Sequence, residues 1–305
     1  MIYTLTLCPS LDYYMELEED IKIHKLNRST IEYYEAGGKG INVSKLLSNL
    51  GISTKALGFL GGFNKEFYLK NLERYRNLEP KFIYTNAVTR INVKVIGKKL
   101  TEINGIGQSI TPDEQDKLYS KIEFLTDDDV LIISGNIPTP LYSLTEKILK
   151  YLSANNIRFT LDIDAESLNR FIKYKPLLVK PNLLEASEIF KEEVNENNVT
   201  SYVKKLKEMG AENAIISMSN KGSVLYNNNG LYKAGAIDKE AKHQAGSGDS
   251  MIAGFVFNLL RGFNEEESYR YAACCSLATT FTDNLDIREK IDSYYDEFEI
   301  EKLEG

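Results

Sequence analysis

The strongest constraint on the fold is the alternation of short apolar segments with longer segments of helical periodicity. Segment 130–135 (VLIISG) is almost continuously apolar, as in a parallel strand that is buried on both faces. A helical segment follows at about 140–152, then a strand at 157–162 and another buried strand at 177–179. Strands that alternate with helices form a mostly parallel sheet with helices on both faces. The sequence therefore predicts a three-layer α/β/α fold.

Two strand-rich regions interrupt this alternation, at about 12–34 and 88–104. In the second region, segment 90–95 (RINVKV) has apolar side chains at every other position, so one strand face is polar and basic. An exposed edge strand protected by its charges would show the same pattern. The functional alternative is a flap that lays Arg90 over an anionic substrate. We expect both regions to form a small β-strand lid on a single domain that spans residues 1–305.

A glycine turn at 246–249 (GSGD) precedes an apolar helical segment at 251–260. Glycine lets the backbone approach a ligand closely, and the N-terminus of a helix has free amides and a partial positive charge that suit a phosphate. Asp249 falls in the first turn, where its carboxylate is able to take a proton from an attacking hydroxyl. Taken alone, the segment fits an ordinary turn with an N-cap aspartate equally well.

A second glycine-rich loop at 37–40 (GGKG) precedes another helical segment, which stops at Gly51. It does not fit the phosphate-loop pattern, because Lys39 is followed by Gly40 rather than by serine or threonine. From these residues alone, a ligand loop and a flexible loop with an exposed lysine are both possible. Asp12 lies just beyond the predicted first strand, at the edge where open α/β sheets bind ligands.

The overall composition narrows the class of function. The formal net charge is −7 and no basic stripe stands out, which argues against a nucleic-acid partner. No apolar run approaches the roughly 20 residues that a membrane-spanning helix needs. The three cysteines suggest neither a disulfide framework nor a zinc site, so we expect a cytoplasmic protein. A phosphate ligand would need lysines and arginines gathered locally against this acidic background.

Six short segments, taken together, resemble the PfkB (ribokinase-like) carbohydrate kinase family. They occur in the family order over nearly the whole chain, and within the family they are most similar to the 1-phosphofructokinase and tagatose-6-phosphate kinase group. The segments are 6–12 (TLCPSLD), 37–43 (GGKGINV), 89–92 (TRIN), 134–138 (SGNIP), 180–185 (KPNLLE) and 246–250 (GSGDS).

The resemblance implies a ribokinase-like fold and ATP-dependent, Mg²⁺-assisted phosphorylation of a ketohexose monophosphate to a bisphosphate. Conversion of fructose 1-phosphate to fructose 1,6-bisphosphate is favoured, and a tagatose-6-phosphate kinase is the alternative. Two cues conflict, because Ser247 is more typical of tagatose-6-phosphate kinases and segment 89–94 of 1-phosphofructokinases. A non-catalytic phosphosugar-binding regulator on the same fold is the alternative from a different class.

The resemblance also implies a role for each matching residue. Asp249 would be the general base, and the amides of the glycine turn would form an anion hole for the transferred phosphoryl group. Substrate binding is assigned to Asp12, Gly38, Lys39, Asn42, Arg90 and Arg28. The anion hole is assigned to Gly246, Ser247 and Gly248. ATP binding is assigned to Lys180, Asn182, Ser217, Gly222, Gly246 and Gly248, and Mg²⁺ to Glu185 through water.

Two further expectations concern residues outside these motifs. Asp162 and Asp164, at the end of a predicted strand, are expected to cap loops rather than to take part in the site. The exposed strands of the lid offer a surface through which two chains are able to pair, so a homodimer is a candidate assembly.

Overall fold

A computed structural model describes residues 1–107, 109–235, 246–281 and 287–304. The strands in these ranges are β1 (Ile2–Thr6), β2 (Ser10–Glu16), β3 (Ile31–Gly37), β4 (Thr54–Gly61), β5 (Leu78–Pro80), β6 (Ile83–Thr85), β7 (Arg90–Ile96), β8 (Leu100–Asn104), β9 (Val130–Gly135), β10 (Arg158–Ile163), β11 (Leu178–Val179), β12 (Asn213–Ser217), β13 (Ser223–Asn227), β14 (Gly230–Ala234) and β15 (Ile300–Glu304). The helices are α1 (Lys39–Asn49), α2 (Lys65–Leu72), α3 (Pro112–Ile122), α4 (Tyr142–Ala154), α5 (Ala165–Phe171), α6 (Leu183–Phe190), α7 (Val199–Glu208), α8 (Ser247–Leu260), α9 (Glu265–Phe281) and α10 (Ile287–Glu297).

A large central sheet organises the molecule. Its strand order is β15-β14-β13-β12-β11-β10-β9-β1-β4-β5, and β6 also pairs with β4. Strands β1, β4, β5, β6 and β9 to β12 pair with one another in parallel. Strands β13, β14 and β15 add an antiparallel edge beside β12. The prediction of a mostly parallel sheet is confirmed.

Two apolar layers cover the faces of this sheet. Helices α3 to α7 pack on one face, against side chains such as Leu131 and Ile133 of β9. Helices α1, α8, α9 and α10 pack on the other face, against Val130 and Ile132 of the same strand. Successive side chains of a strand point to opposite faces, so β9 contributes to both layers and is apolar from Val130 to Ile133. The predicted three-layer α/β/α architecture is confirmed.

The lid is a separate four-stranded sheet in the order β3-β2-β7-β8. Its inner pair, β2 and β7, is parallel and the two outer pairs are antiparallel. Its strands come from the two regions that interrupt the strand–helix alternation. Asp12, expected just beyond the first strand where the lid region begins, lies within β2, directly opposite Asn92 of β7. The reason is that the chain continues as a strand immediately after Pro9 and enters the lid.

The C-terminal segment contains an element that the sequence reading missed. After α10, residues Ile300–Glu304 form β15, which pairs antiparallel with β14 at the edge of the central sheet. The segment EIEKLEG is strongly charged, and charge is common on edge strands. In the described parts of the chain, no helix has the length and apolar character required to cross a membrane.

Candidate active site

The N-termini of α1 and α8 meet at the carboxyl ends of the central strands. Each of these helices begins after a glycine with positive φ, Gly38 at +123° and Gly246 at +86°, a conformation that other residues rarely adopt. The amide of Ser250 bonds the carbonyl of Gly246, so the intrahelical pattern starts only there and the preceding amides of the first turn point out of the helix end. Both helix ends therefore direct partial positive charge toward the same cleft.

Asp249 joins the two glycine loops. Asn42 of α1 donates a hydrogen bond of 2.8 Å from Nδ2 to Oδ2 of Asp249, in the first turn of α8. Asp249 is only 6% exposed. Burial and then the nearby Asp162 carboxylate raise the pKa of Asp249 to about 6, although Lys39, Asn42 and Lys180 oppose the rise. A buried carboxyl group with its pKa near neutrality is suited to accept a proton from a substrate hydroxyl.

Asp162 lies at the centre of the charged cluster, and the expectation that it caps a loop is wrong. It is 3% exposed, and its carboxylate lies 3.4 Å from Lys39 Nζ and 3.7 Å from Lys180 Nζ. Burial opposes ionisation, but Lys180 and Lys39 outweigh it and lower the pKa of Asp162. Asp164 does have the expected role, because it is the N-cap of α5 and accepts a hydrogen bond from the amide of Ser167.

Strand periodicity explains why this cluster forms. Leu161 and Ile163 of β10 point into the layer of α3 to α7, so Asp162 between them points toward α1 and α8. Lys180 follows Val179 of β11 and points to that same side. A β-carbon added to Gly248 would lie 2.9 Å from Lys180 Nζ, so this lysine touches the glycine turn itself.

Lys39 connects the cluster to the start of α6. Its Nζ lies 3.1 Å from Oε1 of Glu185, opposite the contact with Asp162. The Asp162 carboxylate raises the pKa of Lys39, with help from Glu185, although burial of the ammonium group opposes the rise. The Lys39 side chain is therefore fully charged. Glu185 also forms a capping box with Asn182, in which each side chain accepts the backbone amide of the other residue. Lys39, the expected substrate-phosphate ligand, therefore lies between two carboxylates.

The remaining predicted nucleotide residues lie at the end of β12. Ser217 forms a parallel bridge with Asn182, and its amide donates 3.0 Å to the carbonyl of Pro181. The carbonyl of Gly222 accepts from the amide of Met218 and closes the turn that follows. The structure therefore brings Ser217, Asn182 and Glu185 together beside the charged cluster.

Asp12 forms a second polar cluster, on the lid. Its Oδ1 accepts hydrogen bonds from Ser10 Oγ at 2.6 Å and from Asn92 Nδ2 at 3.0 Å. Its Oδ2 lies 3.2 Å from Lys94 Nζ. A β-carbon added to Gly37, on the adjacent strand β3, would lie only 2.6 Å from Asp12 Cγ. The carboxylate is thus fixed from three sides and remains 7% exposed.

The two predicted arginines differ in their placement. Arg90, the first residue of β7, pairs in register with Ser10 and is partly buried. Its Nη1 lies 3.5 Å from the carbonyl of Gly105, and its buried Nε has no hydrogen-bond partner. Arg28 is exposed in the connection between β2 and β3 and forms no hydrogen bond or ion pair with described residues. It lies beyond Glu16, which is about 13 Å along β2 from Asp12 at 3.3 Å per residue.

Four polar residues of these clusters were not among the predicted site residues: Asp162, Lys94, Ser10 and Asn92. Asp162 and Lys94 occupy polar positions between apolar neighbours on a strand, so the period-2 pattern alone could have placed each on the face that looks toward the cleft. Within the described ranges, no group of three His, Cys, Asp or Glu side chains is arranged as a metal site.

Comparison with known proteins agrees with this geometry. A family model described as pfkB family carbohydrate kinase matches residues 10–285. A 1-phosphofructokinase from Bacillus subtilis is 37% identical over 305 residues, which cover 99% of this chain and 100% of that protein. A D-tagatose-1-phosphate kinase from Bacillus licheniformis is 29% identical, with coverage of 99% and 100%. The crystal structure of phosphofructokinase-2 from Escherichia coli in complex with substrates and products matches with a TM-score of 0.87 at 25% identity, covering 97% of this chain and 99% of that chain. The resemblance inferred from the six sequence segments is confirmed.

Proposed function

The chain belongs to the pfkB family of carbohydrate kinases, and we propose that it phosphorylates fructose 1-phosphate to fructose 1,6-bisphosphate with ATP. The broader activity, ATP-dependent phosphorylation of a ketohexose phosphate, follows from the names of its relatives. The choice of fructose 1-phosphate rests on the higher identity to the 1-phosphofructokinase than to the tagatose-1-phosphate kinase, 37% against 29%.

One observation supports the mechanism most directly, the position of Asp249 where both glycine loops meet. The substrate hydroxyl oxygen attacks the γ-phosphorus of ATP, and the bond from that phosphorus to the bridging oxygen of ADP breaks. The hydroxyl proton passes to the Asp249 carboxylate. A base with a pKa of about 6 is ionised at neutral pH and accepts the proton as the transition state develops. The amides of Gly246, Ser247 and Gly248 are proposed to stabilise charge on the transferred phosphoryl group.

On the sugar side, we assign hydroxyl binding to Asp12 and Asn42, with the backbone of Gly38 beside them. Arg90 is assigned to the phosphate already on the substrate, because its buried Nε has no partner among the described residues and a phosphate would supply one. Arg28 has the same proposed ligand but lies at the far end of the β2–β3 ribbon, so its contribution would require movement of that ribbon.

On the nucleotide side, Lys180, Asn182, Ser217 and Gly222 are assigned to ATP. Mg²⁺ prefers carboxylate, carbonyl and water oxygens, and the residues around Lys39 fit this preference. Glu185 and Asp162 share the Lys39 ammonium, Asp162 also lies 3.7 Å from Lys180 Nζ, and Oδ2 of Asp162 has no hydrogen bond. Glu185, through water, and Asp162 would hold the ion, which neutralises charge on the ATP phosphates when bound. Lys39 would then turn to a phosphate oxygen of the substrate.

The decisive experiment is a coupled assay of ADP release with the Asp249→Asn variant. We expect kcat to fall by about 10² to 10⁴-fold with little change in sugar binding, because the amide keeps the shape but cannot accept the proton. Asp127→Asn is the matched control, since Asp127 is exposed in the turn before β9. Unchanged turnover in Asp249→Asn would refute its role as the base.

The same assay separates the candidate substrates. Fructose 1-phosphate, tagatose 6-phosphate and fructose 6-phosphate are compared by kcat/KM, with free fructose and ribose as controls. A higher kcat/KM for tagatose 6-phosphate would replace the proposed substrate by the alternative. Sugar-phosphate binding without turnover of any of them would instead indicate a non-catalytic regulator.

We also propose that two chains pair through their lids. Large apolar side chains are exposed on the lid strands, among them Ile31, Tyr34 and Ile103, at 53%, 39% and 60% exposure. Burial of such a patch favours association. Light scattering of the purified protein, compared with an Ile103→Glu variant, tests the pairing. We further propose that residues 1–305 form one domain that works in the cytoplasm, where ATP is available.

A further inference from the structure

We propose that Lys94 is a positioning residue for sugar recognition, because its ammonium group fixes the Asp12 carboxylate oxygen that accepts a substrate hydroxyl. The inference rests on the proposed function, in which Asp12 contacts the sugar. It adds a residue that does not itself touch the substrate, and it identifies which oxygen of Asp12 makes the contact.

The position of Lys94 follows from the lid register. Tyr14 of β2 lies directly opposite Lys94 of β7, and Asp12 is the diagonal neighbour two residues away. On the other side, Glu102 of β8 lies directly opposite Lys94. The Nζ atom lies 3.2 Å from Asp12 Oδ2, 3.2 Å from Tyr14 Oη and 3.5 Å from Glu102 Oε1. Three oxygens therefore surround the ammonium group, the Tyr14 hydroxyl through a hydrogen bond and the two carboxylates through ion pairs.

The ammonium group is held rather than mobile. The Lys94 side chain is 14% exposed, and it also lies over the Tyr14 ring at 5.1 Å from the centroid. Burial alone would lower the pKa of Lys94, but Asp12, Tyr14 and Glu102 reverse the effect and raise it. The side chain therefore carries its charge throughout the pH range of an enzyme assay, and that charge is already paired with the Asp12 and Glu102 carboxylates.

Counting acceptors on Asp12 identifies the oxygen that remains for the sugar. A carboxylate offers about four lone-pair positions, two on each oxygen. On Oδ1 both are engaged, by Ser10 Oγ and Asn92 Nδ2. On Oδ2 only the contact with Lys94 is present. A substrate hydroxyl is therefore expected to donate to Oδ2, and the direction of that bond depends on where Lys94 holds the carboxylate.

Removal of the ammonium group would have two effects on sugar binding. Oδ2 would lose its fixed direction, since Ser10 and Asn92 both bind the other oxygen. The carboxylates of Asp12 and Glu102 would also lose the positive charge between them. A hydrogen bond that involves a charged group contributes about 1.5–3 kcal/mol, which corresponds to roughly 10- to 100-fold in binding. Because the loss of sugar binding acts through Asp12, removal of the Lys94 ammonium group should have little further effect in a variant that already lacks the Asp12 carboxylate.

The test combines steady-state kinetics of Lys94→Met with a double-mutant cycle. We expect KM for the phosphosugar to rise about 10- to 100-fold, with KM for ATP within twofold of wild type. Lys94→Arg keeps the charge and should recover part of the loss. Lys98→Met is the control, because Lys98 is exposed in the turn of the same hairpin. In an Asp12→Asn background, the Lys94→Met change should cost less than threefold.

Each outcome decides the question. An unchanged KM for the phosphosugar in Lys94→Met would overturn the inference. An equal rise in KM for the phosphosugar and for ATP would also overturn it. So would a double variant in which the effects of Lys94→Met and Asp12→Asn on the KM for the phosphosugar simply multiply. An unaltered KM for ATP also shows that the variant is folded. Failure of the proposed function is a different result, since the wild-type protein would then release no ADP with any phosphosugar.

Discussion

The hydrogen bond between Asn42 and Asp249 leads to a quantitative prediction about pH. Burial and Asp162 raise the pKa of Asp249 to about 6, and the Asn42 amide is one of the groups that hold it down. Asn42 Nδ2 donates to Oδ2 at 2.8 Å, and this contact favours the ionised carboxylate over the protonated one. The Asn42→Ala substitution removes this hydrogen bond to the ionised carboxylate and should therefore raise the pKa of Asp249, the proposed base.

The size of the effect follows from the kind of bond that is lost. A hydrogen bond to a charged group contributes about 1.5–3 kcal/mol, and one pKa unit corresponds to about 1.4 kcal/mol. The acid limb of activity should therefore move up by about one to two units, to a midpoint of roughly 7–8. At pH 7 the ionised fraction of Asp249 would fall from about 0.9 to between about 0.1 and 0.5, a loss of roughly 2- to 10-fold. At pH 9 this part of the loss should vanish.

The assay is the pH profile of kcat/KM for the phosphosugar between pH 5 and 9, which reports groups in the form of the enzyme that binds the sugar. Asn42 is also a proposed sugar ligand, so a constant loss at every pH is expected on top of the shift. Ser44→Ala is the matched control, because it removes a buried hydrogen bond of the same helix, to Thr4, that does not involve Asp249. An acid limb at the wild-type position in Asn42→Ala would refute the reasoning.

Three further predictions concern residues of the candidate active site: Asp162, Gly248 and Arg90. In Asp162→Asn the acid limb should move to lower pH, because the negative charge of Asp162 raises the pKa of Asp249; a limb that moves up would contradict this electrostatic account. Gly248→Ala should reduce kcat by about tenfold or more, because the added methyl group would displace the end of Lys180 beside the proposed anion hole. Its Tm should change little, because the displaced group is the flexible end of a side chain, and kcat and Tm are measured on one preparation. In Arg90→Ala, the KM for the phosphosugar should rise by roughly tenfold or more, and by more than the KM for ATP. If neither KM changes on substitution, Arg90 is only a charge on an edge strand.

Local pattern was sufficient to predict the layers of the molecule and its glycine loops. Strands such as β9, which is apolar from Val130 to Ile133, have both of their faces covered, and this feature is visible in the sequence without any partner. The glycine at 246 and the apolar helix that follows are likewise recognisable, since glycine and helix-forming residues act over a few neighbouring positions, although α8 begins at Ser247 rather than at the predicted residue 251. What these residues contact is a different matter, because the bond between Asn42 and Asp249 joins positions 207 residues apart.

The surroundings of Asp12 show the limit of local pattern. Cys8 and Pro9 indicate the end of the first strand, and Asp12 was expected just beyond it, where the lid region begins. The new strand starts at Ser10, leaves the central sheet and pairs with β3 and β7 of the lid. Pairing with β7 involves residues about 80 positions away, so nothing close to Asp12 in sequence could reveal that it lies opposite Asn92.

Asp162 is a different kind of failure, because the information was present in the sequence. In segment 158–163 (RFTLDI) the apolar residues occupy alternate positions, so Thr160 and Asp162 must share the opposite face. Parallel strands end at a common edge, and the next strand along the chain is followed by Lys180 on that same face. A one-residue slip of β10 would turn Asp162 into the apolar layer of α3 to α7, where a carboxylate has no counter-charge. The register of the buried strand therefore also fixes the arrangement of charges in the candidate active site. For this reason strand periodicity, taken together with the glycine motifs, points to the lysine–aspartate cluster.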